Sequence, residues 1–129
     1  MSDFNSTHNR AVWFDIPVTD LDRAEKFYSA VLAIDVNRED YDGFAFSILE
    51  HKEGNGGCLV PSKDGVQKEN GILLYLNANG RIIDAVEKVK ENGGEVIEDT
   101  HSIGPYGCRA IIRDSEGNRL ALHSEEKIG

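Results

Sequence analysis

Trp13-Phe-Asp-Ile-Pro-Val-Thr-Asp-Leu-Asp-Arg-Ala-Glu-Lys-Phe-Tyr28 changes its hydrophobic period halfway along. Its first part, with Ala11 and Val12 ahead of it, is apolar and rich in β-branched and aromatic residues, which predicts a strand. Pro17 has no amide hydrogen to give to a sheet, so the strand stops near Val18. Thr19 and Asp20 supply oxygens that can cap a helix. Beyond them Leu21, Ala24, Phe27, Tyr28, Val31 and Leu32 recur at helical spacing, with Asp22, Arg23, Glu25 and Lys26 on the other side. The spacing predicts a helix with one buried face.

Outward from this stretch, Ile34–Arg38, Phe44–Leu49 and Cys58–Pro61 read as three short strands. Asp42-Gly43 and Glu53-Gly-Asn-Gly-Gly57 separate them as turns. Residues 62–70 are polar, include Gly65 and read as a linker. The pattern then restarts. Gly71–Leu76 reads as a strand and Asn77 to Gly80 as a turn and cap. Ile82, Ile83, Ala85, Val86 and Val89 form a helical stripe ending at Gly93-Gly94. Strands follow at Glu95–Glu98, Cys108–Arg113 and Arg119–His123, with turns at Gly104-Pro-Tyr-Gly107 and Asp114-Ser-Glu-Gly117.

The order β-α-β-β-β is therefore written twice. Sliding the second copy onto the first lays Trp13 on Gly71, Ile16 on Leu74, Ala24 on Ile82 and Val31 on Val89. The expected fold class is α+β, two βαβββ modules forming a cupped mixed sheet whose concave surface is the natural ligand site. Residues 1–9 are expected to be a flexible tail and 10–124 a single domain. Within it module one covers about 10–61, the linker 62–70 and module two about 71–124, and 125–129 close the chain as a second tail.

Composition narrows the function. With 40% hydrophobic and 29% charged residues, the 129-residue chain has the balance of an ordinary globular domain. A net charge of −9 argues against nucleic acid, which needs a basic face, and leaves cationic or neutral ligands open. No apolar run is long enough to span a membrane and no signal peptide opens the chain, so no membrane partner is expected. Cys58 and Cys108 lie in apolar, strand-like stretches without metal-type spacing. They read as small hydrophobes in a reducing, cytoplasmic setting.

The stretch Trp13–Tyr28 resembles the opening of the glyoxalase/bleomycin resistance/extradiol dioxygenase superfamily, also called vicinal oxygen chelate proteins. There a strand leads into Val-x-Asp-Leu and a helix carrying Phe-Tyr, matched here by Val18-Thr-Asp-Leu21 and Phe27-Tyr28. Arg113-Asp-Ser-Glu-Gly-Asn-Arg-Leu-Ala-Leu-His123 resembles that family's Asp-Pro-x-Gly-Asn turn and final strand. The resemblance spans residues 10–124 and implies the doubled fold and a homodimer in which the cup is often completed across the subunit interface. Enzymatic members hold a divalent metal through histidine and glutamate on the first and last strands of each module. Those positions fall on Trp13, Gly71 and Ala121, and near Gly57 or Cys58. Tryptophan, glycine and alanine donate no side-chain lone pair to such a metal. The metal site is therefore not carried over, and no cofactor is expected.

His8, His51, His101 and His123 are the histidines, and no two are spaced for one helix face or one strand face. By alternation His123 faces inward with Ala121, and Asp15 with Trp13. His123 reads either as a histidine hydrogen-bonded at the sheet rim or as a polar handle, even a general acid or base working with Asp15. Asp15 reads either as a paired structural carboxylate or as a ligand contact. Trp13, Phe46, Leu73, Tyr75 and Tyr106 either line a partly aromatic hollow or fill a core. The glycines at 54, 56 and 57 are not a phosphate loop, and no nucleophile elbow, Cys-x-x-Cys or dinucleotide fingerprint exists. No catalytic residue is assigned. The leading expectation is a metal-free, homodimeric member that binds a small organic ligand, cationic or neutral, through Trp13, Asp15, Phe46, Leu73, Tyr75, Tyr106 and His123. The alternatives are a metal-dependent glyoxalase-like lyase, isomerase or dioxygenase with displaced ligands, and a structural or regulatory subunit with a filled cup.

Overall fold

The computed structural model describes Phe4, residues 6–63 and residues 71–128. Eight strands and two helices follow one another as β1 (Ala11–Val18), α1 (Leu21–Leu32), β2 (Val36–Tyr41), β3 (Phe44–Leu49) and β4 (Cys58–Pro61), then β5 (Leu73–Asn77), α2 (Ile82–Glu91), β6 (Glu95–Ser102), β7 (Cys108–Arg113) and β8 (Arg119–Ser124). The described residues from Trp13 to Leu73 gather in one compact unit, and those up to Val12 join those from Leu74 onward in a second.

The two units repeat one topology. In the first the strands lie in the order β2-β3-β4-β1, and in the second β5-β8-β7-β6. The first strand of each copy pairs in parallel with the last, Asp15 opposite Cys58 in one and Tyr75 opposite Ala121 in the other. The remaining pairs, β2 with β3, β3 with β4, β6 with β7 and β7 with β8, are antiparallel. The fold is α+β, two βαβββ copies. Among the described residues no helix is long and apolar enough to cross a membrane. Of the expected linker only Ser62 and Lys63 are described, and the Ser62 amide donates to the Val18 carbonyl at 2.7 Å.

The helices are built differently. Helix α2 buries Ile82 and Val86 against Ala78, Cys108, Ala110 and Ile112, with Leu120 and Leu122 packed around them. Helix α1 starts as its sequence predicts, with Asp20 capping the Arg23 amide at 3.0 Å, and ends on Ala33 in the left-handed region. Its expected apolar face is not buried: Phe27 is 57% and Val31 61% exposed, and Leu32 is half exposed. What α1 turns to the sheet is Glu25, whose carboxylate accepts from the buried Ser47 hydroxyl and from Arg38 Nε at 2.9 Å. Arg38 also donates to Asp22 Oδ1 at 2.5 Å, so β2 and α1 are held by an ion-pair cluster. The neighbouring guanidinium holds the Glu25 carboxyl below the usual carboxylate range.

Strand bounds moved where the side chains carry no alternation. The second strand of module one runs Val36–Tyr41 rather than 34–38, because the Ala33 and Ile34 amides are still donating back to Ser29. Strand β5 starts at Leu73, two residues later than expected. Strand β6 continues through the polar Asp99-Thr-His-Ser102 with register shifts against β7. Before β8, Asp114 accepts from the amides of Glu116 and Asn118 and from Asn118 Nδ2, each at 2.9 Å. Gly117 turns the corner at φ +93°, where a side chain would be strained. Those bonds pull the Asp114 carboxyl below its ordinary pKa and explain the Asp-x-x-Gly-Asn spacing physically.

Candidate functional site

In the first unit, Ser47 reaches α1, which fixes the helix side of the sheet. Its neighbour Ile48 therefore faces away from α1, and so do its register partner Cys58 and Asp15, the partner of Cys58. Trp13 and Phe46 join them by alternation. On this face the Cys58 thiol donates to Asp15 Oδ1 at 3.2 Å. Trp13 is 5% exposed, and the imidazole of His51 meets it edge-on with ring centroids 5.7 Å apart. His51 Nδ1 is held by the Gly54 carbonyl at 2.9 Å. A Cβ on Gly56 would sit 2.4 Å from the His51 ring, and one on Gly57 would sit 2.3 Å from Phe14. The glycine run is thus a matter of close approach to two rings.

In the second unit, α2 packs on Ala110 and Ile112 of β7 and on Leu120 and Leu122 of β8. Arg109, Ile111, Ala121 and His123 therefore lie on the opposite face, with Tyr75 beside Ala121. His123 is 1% exposed and donates from Nε2 to the Tyr106 carbonyl at 2.7 Å, which places its proton on that nitrogen in the neutral ring. Burial lowers the His123 pKa from 6.5, against the pull of the Tyr106 carbonyl and the Glu125 charge. Phe4 lies flat on the imidazole, centroids 3.9 Å apart and planes 6° from parallel. Tyr75 stands edge-on to the imidazole, with centroids 6.3 Å apart, and tilted by 54° to Phe4 at 6.0 Å. Arg109 Nη1 donates to the Tyr75 hydroxyl at 2.6 Å and its Nε to His101 Nε2 at 3.2 Å.

Trp13, Asp15 and Phe46 thus come together on one face of the first unit, and Tyr75 and His123 on one face of the second. Leu73 shares its side of β5 with Tyr75, and both are buried. Tyr106 enters through its main-chain carbonyl. Four residues on these faces were missed as site residues. Arg109 was legible, since it alternates with the buried Cys108 and Ala110. Cys58 was read only as a hydrophobe, and His51 only as a histidine with no other spaced to share its face. Phe4 gave no signal: it stands in the segment expected to be a tail, yet it is 6% exposed.

The metal of the resembling enzymes does not fit these residues. Trp13 and Ala121 are buried without a donor atom. The thiol of Cys58 is bonded to Asp15 and Nε2 of His123 to a carbonyl. Among the described residues no group of three or more His, Cys, Asp or Glu is placed to hold a metal ion.

Residues 10–122 match the family model described as the glyoxalase/bleomycin resistance protein/dioxygenase superfamily. A glyoxylase-like domain-containing protein of Didymella fabae is 27% identical over 121 residues, 89% of this chain and 93% of that one. Among solved structures, the hypothetical protein BH1468 of Bacillus halodurans C-125 superposes with a TM-score of 0.72 at 20% identity, covering 95% of this chain and 99% of its own. Methylmalonyl-CoA epimerase of Mycobacterium tuberculosis superposes with a TM-score of 0.67 at 18% identity, covering 89% and 87%. At these identities the two structures bear on fold alone.

Proposed function

The chain belongs to the glyoxalase/bleomycin resistance protein/dioxygenase superfamily, and we propose that it is a metal-free member binding a small organic ligand on the sheet faces turned away from the helices. One observation carries this reading. Of the positions that the resemblance implies for a metal, Trp13 and Ala121 are buried and offer no ligand atom, Gly71 has no side chain, and the polar groups Cys58 and His123 are already hydrogen-bonded within the chain. Aromatic surface next to a few fixed polar groups suits an organic ligand. A cationic one is favoured by the net charge of −9 and by the carboxylate of Asp15 on the face of Trp13.

The same reading has the chain acting as a homodimer in a reducing cytoplasm. The exposed Phe27 and Val31 of α1 support a second copy, and Cys58 and Cys108, buried and not joined in a disulfide, support the compartment. Trp13 is the only tryptophan, so its emission reports on its face. Titration with aryl ammonium compounds and their neutral counterparts tests the function. A saturable change with the cations, retained in EDTA and weakened about tenfold by Asp15→Asn, is expected. No saturable response to any cation in the series contradicts the reading.

A further inference from the structure

Phe4 is the one aromatic residue among the first ten, and its neighbours in sequence are polar. Its ring does not belong to a helix or strand, yet it is buried on the one second-unit face that also carries Tyr75, Arg109 and His123. What brings it there is a short clamp at the end of β5. Asn77 Nδ2 donates to the carbonyls of Ser6 and Asn9, 2.8 Å each, and the Asn77 amide donates to the Arg10 carbonyl at 2.7 Å. The Ser6 hydroxyl donates to the Glu125 carboxylate. These are polar contacts, and each contributes only modestly to holding the segment. Phe4 adds a buried apolar ring to that hold.

A flat ring over a neutral imidazole, with a phenol edge at its side, is a receptor for an aromatic plane. We propose that the His123–Tyr75 face is an aryl-binding subsite and that Phe4 is its intramolecular occupant, so that a small molecule carrying a planar aromatic ring enters by displacing Phe4. This rests on the ligand-binding reading above and adds to it the chemical class of one subsite and the competitor that guards it. Tethering gives Phe4 a high effective concentration at the face, so a free aryl ligand binds weakly until the tether is removed.

The test uses benzyl alcohol, a neutral probe with the same ring, followed through the imidazole proton resonances of His123 in the full chain. In the wild type, ring current from Phe4 shifts these resonances upfield, and Phe4→Ala removes that shift. Benzyl alcohol then restores it saturably in Phe4→Ala, at a concentration at least about tenfold below that at which the same resonances begin to move in the wild type as Phe4 is displaced. Phe4→Leu, which keeps an apolar side chain at this position, separates loss of the ring from loss of stability and behaves as Phe4→Ala does. Equal titrations in wild type and both variants, or no restored shift at any concentration, overturn the proposal. That failure is distinct from failure of the ligand-binding reading, which the Trp13 titration with cations decides on its own.

Discussion

Burial biases His123 toward its neutral form. Its ring is buried between Phe4 and the sheet, with Tyr75 at its edge, Arg109 opposite across the ladder and Glu125 two residues on. Burial outweighs the Tyr106 carbonyl and the Glu125 charge, so the folded pKa lies below 6.5. The unfolded chain takes up this proton near 6.5 and the folded chain only at lower pH, so stability is full above that value and declines as pH falls below it. Urea midpoints between pH 8 and pH 5 should show this decline, and His123→Gln should flatten it. An unchanged slope in the variant would mean that another group titrates. That Asp15 shares a strand face with Trp13, and His123 with Ala121, was legible in the sequence, because strand alternation needs only a correct register. Their partners were not. Cys58 on Asp15 and Phe4 on His123 join residues far apart in the chain, and Phe4 lies outside any periodic segment.

At the scale of elements, β3, β4 and β7 run where their apolar residues predict, Phe44–Leu49, Cys58–Pro61 and Cys108–Arg113. Strands β2 and β6 end the order of their units, and their charged residues suit a sheet edge better than they reveal a period. Helix α1 was legible as a helix, and the face it buries was not. Glu25 looks like a solvent residue until Ser47 and Arg38 are placed beside it. The apolar stripe through Phe27 and Val31 is left exposed instead. If a second copy covers it, light scattering gives twice the chain mass for the wild type and the chain mass for Phe27→Asp with Val31→Lys, at unchanged circular dichroism. A wild type that runs as a monomer at micromolar concentration contradicts the dimer.

For the whole molecule, the repeat carries the fold: each copy closes its meander by a parallel pair, β1 with β4 and β5 with β8. The repeat and the two end motifs were both readable from sequence, and residues 10–122 match the family accordingly. Function was less legible, because the resemblance makes the family's chemistry depend on a few positions, and those it implies fall on Trp13, Gly71 and Ala121. Ligand binding is proposed to proceed without the metal that resembling enzymes hold at those positions. Elemental analysis of the purified protein, dialysed after incubation with Ni²⁺, Zn²⁺, Mn²⁺ and Fe²⁺, should then give less than about 0.1 metal ion per chain, the same in wild type and His123→Ala. About one ion per chain, lost in His123→Ala, would contradict it.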